Sequence, residues 1–538
     1  MSAFRLEPVF LKFRDCSGGV FKESAIIYFR VSFVLHNIKC RPCFLSGRHS
    51  DALQALRFNL HTAMRKHISN IAIGIAMITA VADGHGQLSS PALLGDSIPE
   101  KWQMTQQCFQ TLPTDDSWWK MFDDPVLDNL ISQAVANNYN VAAALKRIDM
   151  SRKSVQEARA GYFPTLTVSG GWSRAQQSGA VESPAVPSSA TSYFSLGADM
   201  NWEIDVFGRV REGVKAKNAS YNVSRADYDA VIVSLCAEVA SEYMQLRMCQ
   251  EELRVAKAHI ASQEHVVKIT EARFEAQLAD MLDVSQARTV LFSTESSVPQ
   301  LESQIRVLVN SISVLVGRYP GELNELLESD GRMPEYRQMV SAGVPSDLLR
   351  RRPDIVEAEL QLAVYAANIG ISKKDFLPTL SLSGSIGTSS HSADGLFGSH
   401  SLSYSVGPQL SWTVFDGLAR NYRTAEARLQ MEAAIDQYNL AVMNAVGEVD
   451  NAMSEYVAAL EAIDLQRRAV EQSEKSTNLA FDLYRTGLTA FSNVVDGQMS
   501  WLSNQNTLVT LQGQALVKLV EIYKALGGGW SPDNSGKR

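Results

Sequence analysis

The chain has 538 residues, of which 45% are hydrophobic and 20% are charged, and its net charge is −8. This hydrophobic content is typical of folded proteins and argues against disorder throughout the chain. The acidic balance argues against a nucleic-acid-binding protein. Six cysteines are too few for a disulfide scaffold, and the pair Cys40-x-x-Cys43 lacks the second ligand pair that a zinc site would need.

A recognisable targeting segment begins at Met64, after a stretch without clear periodicity. The basic residues Arg65–His67 precede the apolar run Ile68–Ala82, which ends in Ala-Val-Ala. This order is typical of a secretory signal peptide cleaved before Asp83, and the run is shorter than the about 20 residues that a membrane-spanning helix needs. We therefore predict that translation starts at Met64 and that residues 1–63 are a misassigned extension. The alternative is that residues 1–63 are a genuine cytoplasmic or anchoring segment.

From Trp118 onwards the sequence contains two similar halves. Three pairs of segments match, the second with one residue deleted: Tyr162–Gly170 with Phe376–Gly384, Trp202–Gly208 with Trp412–Gly417, and Leu315–Gly317 with Ala525–Gly527. Such a duplication predicts two similar units, each with the order helix, strand, loop, strand, long helix, turn, helix. The predicted organisation is an unassigned extension (1–63), a signal peptide (64–82), an extended segment (83–117), a first repeat (118–330), a linker (331–345), a second repeat (346–530) and a tail (531–538).

Four predicted strands give the clearest local signal. In Phe194–Ile204 and again in Leu402–Val414, apolar and polar residues alternate, which gives each strand one apolar and one polar face. A soluble sandwich would show the same alternation. The length suits a tilted strand that crosses about 25 Å of lipid, and aromatic residues lie towards the strand ends as in membrane-barrel girdles. These aromatic residues are Trp172, Tyr193, Trp202, Tyr404 and Trp412.

The connections and edges of these strands carry further information. Gly-, Ser- and Ala-rich segments, 178–192 and 388–400, are predicted to join the strand pairs as exposed loops. Four strands cannot close a barrel, and an open sheet edge is not tolerated in lipid. A membrane barrel would therefore require several chains.

The longest predicted helix runs from Gly417 to about Tyr484 and would measure about 100 Å at 1.5 Å per residue. Apolar residues within it recur at steps of three and four, which is typical of a packed heptad seam. The seam comprises Ile435, Tyr438, Val442, Ala445, Val449, Ala452, Tyr456, Ala459 and Ile463. A helix of this length suits a tube better than a globular enzyme. A simple coiled coil would explain the helices but not the strands.

The two turns between helices, Arg273–Val284 and Tyr484–Asp496, are the most informative places for function. Gly487 is predicted to adopt a positive φ, and Ser492 or Asn493 to cap the returning helix. Catalytic, phosphate-binding and metal-binding motifs are not found in the sequence, so an enzyme is not predicted, nor is a cofactor or metal.

The segment Gly343–Glu359 separates the two halves and reads GVPSDLLRRRPDIVEAE. It has the features of a helix entrance: a stiff proline, Ser346 as a candidate N-cap, and an aspartate at the positive end of the helix dipole. Pro353 is predicted to interrupt this helix, and a longer helix to follow from Asp354 towards Lys374. The signature residues are Pro345, Ser346, Asp347, Arg350, Arg351, Arg352, Pro353 and Asp354.

This string resembles the signature of the outer membrane efflux proteins, the TolC-like, OprM-like and NodT-type channels, and the resemblance extends from Trp118 to Trp530. It implies a mainly α fold with a membrane β-barrel: a long coiled-coil helical barrel in the periplasm, and four strands per chain that close a twelve-stranded barrel in a homotrimer. Many relatives carry a lipidated cysteine at the cleavage point. Here Asp83 occupies that place, and Cys108 does not follow a lipobox.

The resemblance also implies roles for residues in the two turns. Asp283 and Tyr484 fall where relatives have a gate contact between helices, and Asp496 falls where threefold copies of an aspartate ring the pore. Asn493 and Thr489 stand where relatives have a second aspartate and an arginine. A ring of carboxylates around a narrow axis would favour cations. The alternative for Asp283 and Asp496 is a capping carboxylate at a helix start.

The predicted function is that of an exit duct in the outer membrane of a Gram-negative bacterium, in a tripartite pump that exports drugs or other small molecules. The resemblance implies a periplasmic adaptor protein and an inner membrane pump, often proton-driven, as partners besides outer membrane lipid. Three alternatives stay open: a type I protein-secretion duct, a passive porin, and a periplasmic coiled-coil protein without a transport role. The arginine string favours small-molecule efflux over protein secretion.

Overall fold

The structure is a computed structural model of the chain, and the residues that it describes all lie in one compact unit, Ser90–Arg538. The described residues are 99, 101–103, 109–110, 117–176, 190–327, 331–335 and 340–529. The predicted signal peptide and translation start, most of the segment 83–117, and the tail 531–538 lie outside these residues.

Helices make up most of the described chain. They are α1 (Pro125–Asn137), α2 (Tyr139–Ala160), α3 (Arg209–Glu275), α4 (Met281–Glu295), α5 (Val298–Leu315), α6 (Asn324–Leu327), α7 (Leu348–Arg351), α8 (Pro353–Lys374), α9 (Ala419–Arg485) and α10 (Phe491–Ala525). The two longest, α3 and α9, each have 67 residues, a length of about 100 Å. Within the part of the chain that the structure describes, no helix combines the length and the apolar character needed to cross a membrane.

The strands form two sheets. They are β1 (Phe109–Gln110), β2 (Thr165–Ala175), β3 (Thr191–Ile204), β4 (Val340–Ser341), β5 (Thr379–Ser390) and β6 (Leu402–Ser411). β1 and β4 form a short parallel pair, whereas the other four make an antiparallel sheet in the order β2-β3-β5-β6. The two halves of the chain meet where β3 pairs with β5, with Ala198 opposite Ile386. The four strands predicted from alternation are thus confirmed.

The large sheet has one apolar and one polar face, because the pairing keeps equivalent positions of the strand alternation on the same side. The apolar face includes Leu166, Val168, Trp172, Leu196, Ile386, Tyr404, Val406 and Leu410, all exposed in the single chain. The polar face includes Thr167, Asp199, Asn201, Ser383, Ser385, Ser405 and Gln409.

The predicted long helix in the second half is confirmed, with its first residue at Ala419 rather than Gly417. Gly417 and Leu418 both have a positive φ (67° and 70°), a left-handed conformation that is not helical, so α9 starts only at Ala419. The predicted seam forms the core of the bundle: its members are buried except Ile435 and Ala459, which pack against the core as partly buried residues.

The returning helix of the first half differs from the prediction. It consists of two segments, α4 and α5, that break at Ser296 and Ser297, whereas α10 returns without interruption. Pro299 lies in the first turn of α5, where the missing N–H of proline is tolerated but would interrupt a continuous helix. The proline therefore explains the break.

Three local predictions require correction. Ser346 does not cap a helix, because Pro345–Asp347 forms a 3-10 turn that leads into α7. The strand predicted to reach Val414 ends at Ser411. In the second predicted loop, β5 continues to Ser390 and a 3-10 turn follows at Asp394–Phe397, whereas most of the first, 178–189, lies outside the described residues.

A matching hydrogen bond joins the strands to the helices in each half. Trp202 Nε1 donates to the Tyr162 carbonyl (2.9 Å), and Trp412 Nε1 donates to the Phe376 carbonyl (3.1 Å). Trp202 lies near the end of β3 and Trp412 directly follows β6, and in each case the carbonyl comes from the turn that follows a helix. The aromatic residues at this end of the sheet therefore fix the connection between sheet and helices.

Candidate functional site

The two helical turns that were singled out in the sequence contact each other at one end of the bundle. The first joins α3 to α4 and the second joins α9 to α10. The second turn reverses through Gly487, whose φ of 76° confirms the prediction of a positive φ. The first has no glycine at its reversal, and there Gln277 adopts a φ of 57°. Residues with a side chain rarely adopt this conformation, and here it accompanies two backbone hydrogen bonds that close the turn, from Gln277 N–H to the Phe274 carbonyl (2.9 Å) and from Leu278 N–H to the Arg273 carbonyl (2.8 Å).

Tyr484, at the end of α9, is the centre of the contact between the turns. Its hydroxyl donates to Asp283 Oδ2 of α4 over 3.0 Å, and its ring lies 5.0 Å from that of Phe491. Burial first, and the hydrogen bond to Asp283 next, raise the pKa of Tyr484 to about 12. The hydroxyl therefore stays protonated and can donate throughout the neutral range. The structure contains the hydrogen bond expected at this position, while its role as a gate stays a prediction.

Arg273 is part of the same contact, although sequence reasoning gave it no role. Its guanidinium lies 4.9 Å from the centre of the Tyr484 ring, and NH1 donates to the Arg485 carbonyl over 2.8 Å. It thus stacks on the tyrosine and satisfies a carbonyl at the C-terminal end of α9. The sequence signal that could have identified Arg273 is a basic residue in the last turn of a predicted helix, where a positive charge interacts favourably with the helix dipole.

The other predicted gate residues lie in the second turn (Thr489) and in the first turns of α10 (Asn493 and Asp496), and the structure does not bring them into the Tyr484 contact. Asn493 Nδ2 donates to Thr489 Oγ1 over 2.6 Å, and α10 has no side-chain cap, so the capping prediction for Ser492 and Asn493 is wrong. Asp496 is exposed, one helical turn after Asn493 and on the same side of the helix. It is not a helix cap, since α10 begins at Phe491.

Asp283 is also not a cap. The capping position of α4 is Asp280, whose side chain makes no capping hydrogen bond, and Asp283 lies in the first turn. Its carboxylate accepts from Tyr484 on the other hairpin instead. A carboxylate in this position still gains from the positive end of the α4 dipole.

The arginine signature lies elsewhere, about 55 Å from the turns as measured along α9 from Glu448 to Arg485 at about 1.5 Å per residue. Of the three arginines, Arg350 is exposed and Arg352 is buried, with 9% of its surface accessible. Pro353 begins α8 directly after the short helix α7, as predicted. Pro345 is buried, while Asp347 is exposed and accepts from the Val344 N–H over 3.2 Å.

Arg352 joins three helices. Nε and NH2 donate to both carboxylate oxygens of Asp354 (3.0 and 2.6 Å), and NH1 donates to Glu448 of α9 (2.7 Å) and to the Ala525 carbonyl of α10 (3.1 Å). Burial lowers the pKa of Arg352, but the hydrogen bonds and charges of Asp354 and Glu448 more than offset this and raise it. The planar guanidinium suits such a divergent set of acceptors better than a lysine would. Arg352 of the signature therefore has a structural role, because it holds the start of α8 against α9 and α10.

A family model described as "outer membrane efflux protein" matches residues 130–318 and 344–528, which together form most of the chain. The chain belongs to the outer membrane efflux protein family. The two matched segments cover both turns and the arginine signature. The protein is therefore an outer membrane protein that extends into the periplasm, and its family consists of channel proteins rather than enzymes.

Individual relatives support this placement over nearly their whole length. The pyoverdine export outer membrane protein OpmQ of Pseudomonas aeruginosa is 27% identical over 458 residues, which is 84% of this chain and 95% of OpmQ. The probable efflux pump outer membrane protein TtgC of Pseudomonas putida is 30% identical over 415 residues, 77% of this chain and 85% of TtgC. The solved outer-membrane channel OprN has a TM-score of 0.74 and 30% identity, and the match covers 82% of this chain and 98% of OprN.

Proposed function

We propose that this outer membrane efflux protein is the trimeric exit duct of a tripartite pump that exports small molecules. The observation that carries the proposal is the large sheet, whose apolar face is exposed in a single chain that also contains two helices of about 100 Å. A large contiguous apolar surface is rarely left in contact with water, so this face is expected to be covered in the assembled protein. Lipid supplies that cover, and the long helices reach from the membrane across the periplasm.

The open edges of the sheet support the trimer. β2 and β6 are the edge strands, and each has a partner on one side only within the described chain. Unpaired backbone groups are costly in lipid, so the edges must pair between chains. Three copies of a four-stranded sheet give a twelve-stranded barrel, and the two similar halves of each chain give the helical tube a near sixfold arrangement.

The names of the relatives support the substrate class and the partners. OpmQ is named as a pyoverdine export protein and TtgC as a probable efflux pump outer membrane protein. We infer that this chain likewise exports small molecules and docks, through its helical turns, to a periplasmic adaptor and an inner membrane pump, often proton-driven in this family. The exposed apolar residues at the turns suit such a docking surface; they are Leu278, Met281, Leu282 and Leu488.

The first prediction concerns assembly. Protein extracted from outer membranes in mild detergent is expected to be a trimer by analytical ultracentrifugation and to form conducting channels in planar bilayers, because only closure of the barrel removes the edges of β2 and β6. A monodisperse monomer with the circular dichroism of the native protein would contradict the proposal.

The second prediction compares the two faces of β6. Val406→Arg, on the apolar face, is expected to prevent stable insertion, because an arginine near the bilayer midplane costs about 2–4 kcal/mol. Ser405→Arg, one residue away on the polar face, is the matched control and should retain trimers. The amount of heat-modifiable trimer in outer membrane fractions measures the difference. Equal tolerance of both changes would place the sheet outside lipid.

The third prediction concerns Asp496. If three copies ring the pore, Asp496→Ala should weaken the block of current by divalent or trivalent cations and reduce cation selectivity, most clearly at low salt where screening is least. Asn493→Asp should deepen the block by adding a second carboxylate on the same side of α10. Glu474→Ala, which removes an exposed carboxylate from α9, is the control. Unchanged block in both turn variants would locate the constriction elsewhere.

A further inference from the structure

The buried core of the long helices is divided into two separate apolar clusters. The larger one, here the body cluster, includes Leu246 and Cys249 of α3, Ile463 of α9 and Leu516 of α10. The smaller one, here the tip cluster, lies next to the helical turns and comprises Val266, Val267, Ala287, Leu291, Tyr484, Phe491 and Val494. The tip cluster contains the Tyr484 contact, so whatever joins the two clusters also connects the predicted gate to the rest of the tube.

Polar side chains occupy the core between the clusters on three helices. We call this set the polar layer; it comprises His259, Gln263, Thr477, Gln498, Trp501 and Gln505. His259, Gln263, Thr477 and Gln498 are all at most 6% exposed. A heptad seam stabilises a helical bundle through apolar contacts, and on α3, α9 and α10 that apolar seam is interrupted at this level. The polar layer is therefore the place where the body and tip clusters are least firmly connected.

The hydrogen bonding of the polar layer is incomplete. His259 Nε2 donates to Gln505 Oε1 over 2.6 Å, and the His259 ring lies 4.6 Å from that of Trp501 in an edge-on arrangement. The side-chain amide of Gln263, which is only 1% exposed, has no hydrogen-bond partner among the described residues, and neither has the indole N–H of Trp501. Buried polar groups without partners weaken the packing around them.

The surroundings of His259 offer little to balance a positive charge. On α10 the sequence has no charged residue between Asp496 and Lys518. On α3, Glu252 accepts from Thr510, and Lys257 forms an ion pair with Glu302 of α5 (3.6 Å). The other charged or titratable side chains that α3, α4 and α9 carry at this level are exposed: Arg254, Glu264, His265 and Lys268 of α3, Glu295 of α4, and Asp464, Arg467, Arg468, Glu471, Glu474 and Lys475 of α9.

We propose that the polar layer is an acid-sensitive joint, in which protonation of His259 loosens the connection between the body and tip clusters and favours opening of the tip. His259 is then a positioning residue that acts on the Tyr484 contact through the tip cluster. This inference rests on the proposed channel function. A charge on a buried imidazole is disfavoured, whereas the neutral ring fits between Gln505 and Trp501.

The direction of the pH dependence follows from burial. Burial lowers the pKa of His259, and the hydrogen bond to Gln505 opposes the shift. Because the pKa of His259 is lowered in the packed layer, the neutral imidazole stabilises that packing and the protonated imidazole does not. Its contribution is complete above the ordinary histidine pKa of about 6.5 and decreases as the pH falls below that value. The polar layer therefore connects the body and tip clusters most strongly at neutral pH, and this connection weakens in mild acid.

The test compares His259→Gln with His265→Gln. Both changes replace a histidine of α3 by a polar residue that does not titrate, but His265 is exposed. Wild-type protein and His265→Gln should open more often in planar bilayers at pH 5 than at pH 7.5, whereas His259→Gln should show the same open probability at both. We expect the open probability of the wild type to change about tenfold between these two pH values. An acid response that survives in His259→Gln would overturn the proposal.

Hydrogen exchange of the detergent-solubilised protein gives a second, channel-independent measurement. After correction for intrinsic pH effects, peptides that cover 255–265 and 497–506 of the wild type should exchange about tenfold faster at pH 5 than at pH 7.5. Peptides of the body cluster should not change. If the polar layer is no less protected from exchange at pH 5, relative to pH 7.5, than the body cluster is, the proposal is refuted. This measurement uses the wild type and does not require His259→Gln to assemble. Absence of current in every variant would instead contradict the channel function, and hydrogen exchange would still decide the joint.

Discussion

Tyr484→Phe is expected to raise the resting conductance of the channel strongly. The change removes the hydroxyl that donates to Asp283 Oδ2 over 3.0 Å but keeps the ring beside Phe491 and Arg273. A hydrogen bond to a charged partner contributes about 1.5–3 kcal/mol, so its loss would shift the balance between closed and open hairpins roughly 10- to 100-fold. Single-channel recordings at neutral pH measure the open probability and the conductance directly.

A double-mutant cycle separates this contact from general damage to the turns. Asp283→Ala should raise conductance as Tyr484→Phe does, and the double variant should be no more open than either one, because both changes remove the same bond. Asp280→Ala is the matched control, since it removes a carboxylate from the same turn that makes no capping hydrogen bond. Additive effects, or an equal effect of Asp280→Ala, would show that the bond does not hold the hairpins together.

The same contact predicts a pH dependence on the alkaline side. The pKa of Tyr484 is raised to about 12 by burial and by Asp283. A tyrosine with a raised pKa contributes fully to the closed packing below its ordinary pKa of about 10, and this contribution is lost as the pH rises towards 12. The contact should therefore be insensitive to pH near neutrality, where any response belongs to other groups.

The repetitive elements of the fold were predictable because each has a local signal. The seam of α9 and the alternation in β3 and β6 depend on periodicity, and the structure places these residues in the core and on the two sheet faces as expected. The ends of the elements were less predictable. Ala490, which has no capping side chain, occupies the capping position of α10, and β6 ends at Ser411 although the alternation continues to Val414.

The candidate site shows the same limit. The Tyr484–Asp283 pair was found through the family resemblance, since these residues are about 200 positions apart and no local pattern relates them. The stacking of Arg273 on Tyr484 and the interruption of the core at His259 depend equally on the packing of distant helices. Sequence periodicity describes a single helix, whereas these contacts depend on which helices become neighbours and in which register.

Arg352→Ala is expected to destabilise the protein more than any change in its two neighbouring arginines. The guanidinium connects the start of α8 to Glu448 of α9 and to the Ala525 carbonyl of α10, so its loss removes the charged hydrogen bonds that join three helices. Because Asp354 and Glu448 are themselves about half exposed and can be hydrated again, we expect a cost of about 2–4 kcal/mol rather than the full penalty of a buried unpaired charge. The apparent melting temperature of the detergent-solubilised protein, followed by circular dichroism, measures the effect.

Two further variants test whether the geometry of Arg352, and not merely its charge, provides this stability. Arg350→Ala changes an exposed arginine two residues earlier and should leave the melting temperature nearly unchanged. Arg352→Lys keeps the charge but cannot reach Asp354, Glu448 and the Ala525 carbonyl at once, so it should recover only part of the loss. If Arg352→Ala and Arg350→Ala melt together, the signature arginine does not clamp the helices. If Arg352→Lys restores the wild-type melting temperature, a point charge is sufficient and the planar fork has no special role.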